Sequence, residues 1–343
     1  MYFRIVTLFV FLLSLPTFVF AAESPSSLQV EPIYPENQVP TTKGYFDVNA
    51  NPGEKVSMQL HLENTAQTPI NVRVEKSNAY TSPTGGIFYG AETDSDDTKL
   101  LDDAIHLVAH MEVEESVSIP ANGSIDLPIQ VTVPETDGQT LLGGIKVTQV
   151  AEEQESAEEA GEDEANFVIN TETTYAVAIK LNLPTTTEPD FSTGSSGFIP
   201  ETAQVFLEMT NDAHLIQGNI EGTYAVLDSS GAEMFKGELN TFNMAPKSQI
   251  RYPFAWNHES LKDGDYTLKV DGQAGDEPFS VEEPFSISNE EVQEYAEVTN
   301  PTVEVEGDGG VPMWVWIAGA LAFGLLMFFI GRRKKPAAEK ATE

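Results

Sequence analysis

Apolar and polar residues alternate along most of the chain between residues 28 and 288. In 55–62, Val56, Met58, Leu60 and Leu62 share one side, and Ser57, Gln59 and His61 the other. That period of two is the mark of a half-buried strand. The run Asn64-Thr65-Ala66-Gln67-Thr68-Pro69 follows, then Ile70, Val72 and Val74 alternate with Asn71, Arg73 and Glu75, so the pair predicts a hairpin with one buried face. Further strands are predicted at 114–119, at 124–133 after the turn Pro120-Ala121-Asn122-Gly123, and at 144–150, 167–169 and 175–183. A polar run rich in Pro, Thr, Ser and Gly at 184–197 predicts a linker. Strand patterns resume at 204–209, 218–227, 233–239, 248–256, 265–270 and 279–287, with turn signals at Asp228-Ser229-Ser230-Gly231 and Lys262-Asp263-Gly264-Asp265. Many short strands at such spacing predict an all-β chain with two β-sandwich domains in tandem, at 28–183 and 198–288, and the Pro-Xaa-aliphatic pattern of both regions is typical of immunoglobulin-like surface modules. Residues 289–310 are acidic without alternation and predict a stalk.

Both ends of the chain break this pattern. Residues 1–21 carry Arg4 and then an apolar stretch to Phe20 and Ala21, the layout of a signal peptide. Residues 311–331, VPMWVWIAGALAFGLLMFFIG, hold no charge. As a helix they would span about 30 Å, the hydrocarbon thickness of a bilayer. Trp314 and Trp316 stand where an aromatic belt belongs, and Arg332, Arg333, Lys334 and Lys335 follow at once. The positive-inside rule then places 332–343 in the cytoplasm as a basic tail. The expectation is a single-pass cell-membrane protein with its N-terminal ectodomain outside.

Charge sharpens this. The formal net charge is −36, with 18 Lys+Arg against 54 Asp+Glu. Arg4 lies in the signal peptide, and five cations and two acids follow residue 331, which leaves 12 cations, 52 anions and a net of −40 between. Such a surface excludes nucleic acid as a partner, since phosphates are neutralised by Lys and Arg. There is no cysteine, so disulfides, thiolate metal sites and cysteine nucleophiles are excluded. Residues 152–164 hold eight acids in thirteen, the composition of a solvated loop; a docking surface for a basic partner is the alternative.

No phosphate loop, His-Glu-x-x-His or nucleophile elbow occurs. Gly143-Gly144 precedes a predicted strand, not a helix. His106 and His110 are four apart, and Asp94, Asp96 and Asp97 cluster, but neither set completes a known metal site. The expectation is a protein that binds rather than catalyses, with no cofactor and no metal. The candidate binding residues are Tyr34, Tyr45, Tyr80 and Tyr89, whose rings suit the apolar faces of sugars, with Asn37 among the polar residues between them. The rivals are a membrane-tethered hydrolase using a carboxylate pair and a purely structural spacer.

Several short runs together resemble a known family. They are Pro35-Glu36-Asn37-Gln38, Tyr45-Phe46-Asp47, Pro52-Gly53 before a strand ending at Asn64, Asn78-Ala79 with Gly86-Ile87-Phe88-Tyr89, Leu142-Gly143-Gly144-Ile145, and 175–183. In this order, between a signal peptide and a C-terminal helix with a basic tail, they resemble the WxL-interacting proteins of Gram-positive bacteria. The resemblance implies a peptidoglycan-binding domain followed by a host-binding domain. It also implies a place at the cell surface beside WxL-domain proteins, with peptidoglycan, those proteins and host components as partners.

Overall fold

The computed structural model describes residues 26–90, 95–150, 172–258, 260–299 and 304–305. The readings at 1–21, 152–164, 311–331 and 332–343 lie outside these. Among the described residues, no helix is long and apolar enough to cross a membrane. In chain order the strands are β1 (Leu28–Ile33), β2 (Phe46–Asn49), β3 (Lys55–Asn64), β4 (Ile70–Thr81), β5 (Ile87–Gly90), β6 (Thr98–Leu100), β7 (Met111–Val113), β8 (Ser116–Ile119), β9 (Ser124–Thr132), β10 (Thr140–Gln149), β11 (Thr173–Asn182), β12 (Phe191–Ile199), β13 (Gln204–Asn211), β14 (Gln217–Asp228), β15 (Glu233–Met244), β16 (Ser248–Ala255), β17 (Ser260–Leu261), β18 (Gly264–Ala274), β19 (Glu277–Ile287) and β20 (Glu304–Val305). One α-helix, α1 (Asn289–Thr299), follows β19. The chain is all-β and forms tandem β-sandwich units.

The first unit takes in the described residues up to Asn78, with His106–Thr136 and Leu142–Pro184. One of its sheets runs β1-β3-β9-β7; the other runs β2-β11-β10-β4, with β8 also on β4, while β5, which pairs with β4, falls in the second unit. The predicted alternation fills the core. Val56, Met58, Leu60 and Leu62 from β3 and Leu127, Ile129 and Val131 from β9 are buried from one sheet. Val72, Val74, Ile145, Val147, Val177, Ile179 and Leu181 are buried from the other. Each such side chain contributes about 1.5–3 kcal/mol on burial. Gly143 and Gly144 lie inside β10, not before it. A Cβ at Gly143 would stand 2.7 Å from the Met111 methyl and 3.0 Å from the Ser77 carbonyl oxygen, so the packing there requires glycine.

The hairpin expected of 55–62 and 70–74 is not formed. Strand β3 pairs with β1 and β9, whereas β4 pairs with β10 and β8, so the chain crosses between sheets at 64–70. It crosses back between β8 and β9. Asn64, fully buried, ties both crossings. Its Nδ2 donates to the carbonyls of Thr68 at 2.8 Å, Ile119 at 3.2 Å and Pro120 at 3.0 Å, and its Oδ1 accepts from the Ala66 amide at 2.8 Å.

The second unit takes in Ala79–Ile105, Asp137–Leu141 and the described chain from Thr185. Its sheets are β12-β13-β16-β6 and β15-β14-β18-β19. Val205, Leu207, Met209, Ile250 and Phe254 from one meet Ile220, Val226, Leu268, Val270, Phe285 and Ile287 from the other in one core. Strand β6 comes from early in the sequence and pairs with β16.

Two further expectations differ from the structure. The stretch 184–197, read as a linker, enters strand β12, which pairs with β13 through a register shift between Thr193 and Ser196. Polar residues there stand on an outer edge while Phe198 anchors the strand in the core. The stretch 289–310, read as a stalk, begins with α1. Ser288 Oγ accepts from the Glu291 amide at 3.2 Å and Glu291 accepts from the Ser288 amide at 2.7 Å, a capping box. Val292, at 1% exposure, then docks in the core.

Candidate functional site

A shallow trough of about 650 Å³ crosses the outer face of β1-β3-β9-β7 in the first unit. The sheet register sets its floor. Ile33 stands opposite Gln59, Gln59 opposite Pro128, Ser57 opposite Gln130, and Gln130 opposite Glu112. These are the outward positions of strands whose other positions are buried, so the alternation that builds the core also fixes the trough. Tyr34, Pro35 and Glu114 complete the rim.

Tyr34 is held on several sides. Its hydroxyl accepts from the Gly44 amide at 2.7 Å, Lys43 Nζ lies 5.2 Å from the ring centroid, and Phe46 meets the ring edge-on at 6.5 Å. Gly44 has φ +87°, a conformation in which a side chain would be strained. Beside the trough, His61 Nδ1 lies 2.7 Å from Asp126 Oδ1. The bond to Asp126 raises the His61 pKa above its ordinary value.

The other candidate residues have different places. Asn37 donates its Nδ2 to the Asn49 carbonyl at 2.7 Å and so fastens the loop after β1 to β2. Tyr45 is half-buried, and its carbonyl accepts from Gln38 Nε2 at 3.1 Å. Tyr80 is 1% exposed and stacks on Phe88 at 5.5 Å. Tyr89 is half-buried on β5. Tyr34, Asn37 and Tyr45 belong to the first unit, and Tyr80 and Tyr89 to the second. Behind the loop, Asp47 is 5% exposed. Burial opposes its ionisation, but hydrogen bonds from Asn182 and Thr42 and the charge of Lys180 outweigh it and hold the carboxyl below the usual value.

Gln59, Gln130, Glu112 and Glu114 were not singled out from the sequence. The signal was there for Gln59, which faces away from the core in the alternation, but nothing local marks one outward polar residue above another. The pair His106 and His110 does not share a helical face: only a single 3-10 turn, Leu107–His110, forms there, and His106 Nδ1 lies 3.2 Å from Asn78 Nδ2. Asp96 and the Asp97 carbonyl are engaged with Arg251. Among the described residues, no group of three or more His, Cys, Asp or Glu could hold a metal ion.

Sandwich units with an open trough on a sheet face define a protein of tandem β-sandwich binding modules. The chain belongs to the WxL-interacting protein family: residues 28–149 match the family's peptidoglycan-binding domain and 164–297 its host-binding domain. Both are binding domains. No curated protein matches the sequence. Solved structures with some likeness include the CsuC–CsuE chaperone–tip adhesion subunit pre-assembly complex of archaic chaperone-usher Csu pili from Acinetobacter baumannii. It is 11% identical, with 77% of this chain and 100% of that chain covered and a TM-score of 0.35. The Salmonella enterica SafA pilin in complex with the SafB chaperone is 14% identical, with 78% and 98% covered and a TM-score of 0.33. A family 123 glycoside hydrolase from Clostridium perfringens is 11% identical, with 47% and 28% covered and a TM-score of 0.27.

Proposed function

We propose that this protein is a single-pass surface protein that holds peptidoglycan through its first binding domain and WxL-domain surface proteins or host components through its second. It does not cleave what it binds. The observation that carries this is the succession of the two family domains on one chain. The uncharged run 311–331 and the cations Arg332 to Lys335 support the anchor and its orientation. The ectodomain's excess of acid argues against attraction to anionic wall polymers.

The test is sedimentation of the purified full-length protein with insoluble peptidoglycan freed of anionic polymers, across a salt series. Binding should hold or rise with salt, because screening over about 8–10 Å weakens only the repulsion. Binding that collapses as salt rises would refute non-ionic contact. Soluble muropeptides released in the same tube would revive the hydrolase. Protease added to intact cells should remove residues 22–310 and spare a C-terminal tag; loss of the tag would overturn the orientation.

A further inference from the structure

We infer that the trough across β1-β3-β9-β7 is the glycan-contacting site of the first unit and takes an uncharged, N-acetylated sugar chain. This rests on the peptidoglycan reading above and names its surface and chemistry. The lining divides into three kinds of group. Ile33, at 37% exposure, with Tyr34, Pro35 and Pro128, offers apolar surface for the C–H faces of sugar rings. Gln59 and Gln130 are diagonal neighbours across β3 and β9, about 7–8 Å apart. Each amide carries both a carbonyl and an NH₂, the complement of an acetamido group. Glu112 and Glu114 accept hydrogen bonds from hydroxyls, and Ser57 can donate or accept.

Charge selects within this class. The lining contains two carboxylates and no Lys or Arg. Lys43, the nearest cation named beside it, lies over the Tyr34 ring. An anionic polymer therefore meets like charge and no donor fork, whereas a neutral N-acetylated chain finds a partner for each polar group. A groove across β14, β15 and β18 of the second unit differs in this respect. There Lys236 and Lys269 line the surface, and they pair with Glu233 at 3.0 Å and Glu282 at 2.9 Å.

The experiment compares full-length wild type with Gln59→Ala/Gln130→Ala, Tyr34→Ala and Glu112→Gln, and with Gln29→Ala as a control outside the trough. The readouts are sedimentation with insoluble peptidoglycan and competition by soluble N-acetylglucosamine oligomers, with thermal melting of each variant alongside. The double variant should weaken binding about tenfold or more, about 1.4 kcal/mol. Glu112→Gln should weaken it severalfold, Gln29→Ala should bind as wild type, and the oligomers should displace wild type. Glu112 is an exposed edge residue, so its variant reports even where Tyr34→Ala unfolds the loop. Wild type and trough variants binding alike would overturn the site and leave the peptidoglycan reading standing. Variants that lose binding while the oligomers fail to compete would overturn the sugar chain as ligand. If wild type does not sediment, the peptidoglycan reading falls and the inference with it.

Discussion

The two sandwich units solve the same problem with the same corner and then diverge at one residue. In each, a strand ends in a fully buried asparagine, Asn64 or Asn211, where the chain leaves one sheet for the other. Asn64 Oδ1 accepts from the amide two residues on, and Asn211 Oδ1 does the same from Ala213 at 3.2 Å. Asn64 Nδ2 donates four residues on to Thr68, and Asn211 Nδ2 to Leu215 at 2.9 Å. Each also reaches the returning crossing, at Ile119 and Pro120 in one unit and Ala245 at 2.8 Å in the other. The match extends to the backbone of that return. Asn122 has φ 49° and its amide donates to Ala66; Lys247 has φ 50° and its amide donates to Ala213. Asparagine tolerates this left-handed conformation, whereas lysine is strained in it by about 1–2 kcal/mol. Lys247 is offset by what its side chain reaches: Asp103 and Asp212, both at 2.7 Å. Its carbonyl accepts from the Leu101 amide. The corner in the second unit thus also fastens the segment that holds Leu101 and Asp103.

Removing the asparagines tests the shared part and should have the largest effect. Asn64→Ala removes the side-chain partner of the Thr68 and Ile119 carbonyls and the Ala66 amide, and Asn211→Ala that of the Leu215 carbonyl and the Ala213 amide; the Pro120 carbonyl keeps the Gly123 amide and the Ala245 carbonyl keeps Ser248 Oγ. With about 1–3 kcal/mol for each buried group left unpaired and partial rescue by water, losses of about 3–4 and 2–3 kcal/mol are expected. Calorimetry of the full chain should show a lowered transition in each case. A loss below about 1 kcal/mol in either variant would mean that the corner is incidental to the crossing.

Breaking the divergent residue should cost less. Lys247→Met keeps the apolar stem and the backbone strain but releases Asp103 and Asp212. Both acids are at least half exposed, so the loss should be about 1 kcal/mol. Asn122→Ala, at the equivalent place in the first unit, should cost a similar amount for a different reason, lost tolerance of positive φ. A double-mutant cycle of Lys247→Met with Asp103→Asn separates the two accounts. It should show coupling of about 0.5–1 kcal/mol, and strict additivity would mean that Lys247 does not hold the segment through Asp103.

The alternation in the sequence identifies the strands and their buried faces because burial has a period of two. It cannot distinguish a hairpin from a crossing. Ile70, Val72 and Val74 face the core equally well from either sheet, and the deciding information lies in the side chain of Asn64, which looks like an ordinary turn residue. The same limit hid the kinship of the units, since Asn64-Thr65-Ala66 and Asn211-Asp212-Ala213 share only two residues and their contacts lie far along the chain. Strand β6 was illegible because three residues between acidic runs carry no period, and its partner β16 lies about 150 residues away. Of the candidate site, Tyr34 was visible as an aromatic in a polar loop. Gln59 and Gln130 gain meaning only from cross-strand register.

The smallest effects are those of pH, and they separate the units again. In the first unit Asp47 is held below the usual carboxylate range although it is 5% exposed. In the second, the hydrogen bond from Lys247 is the main cause that lowers Asp103, against a weaker opposing effect of burial. A carboxyl with a depressed folded pKa contributes stability present above its unfolded value, about 3.9, and lost as pH falls through the folded one. Both units should therefore weaken below about pH 4, the first as Asn182, Thr42 and Lys180 lose Asp47 as an acceptor, the second as Lys247 loses Asp103 and Ser230 loses Asp228. On the alkaline side the second unit responds at several groups: burial raises the hydroxyls of Tyr224, Tyr252 and Tyr266, the hydrogen bond to Glu282 raises Lys269, and the Lys247 corner responds with them. Burial works against the charge of Lys247, but Asp103 and Asp212 outweigh it and raise its pKa, so its contribution is present below the ordinary lysine value of about 10.4 and fades as pH rises through the folded one. Hydrogen exchange at β9 and at β16, followed from pH 3 to pH 11, should show acid loss of protection at both and alkaline loss at β16 in excess of β9. With Lys247→Met the alkaline excess should shrink, and the tyrosines and Lys269 should keep the rest. An excess of unchanged size in that variant would assign the alkaline response to the tyrosines and Lys269 alone and return the two corners to equivalence.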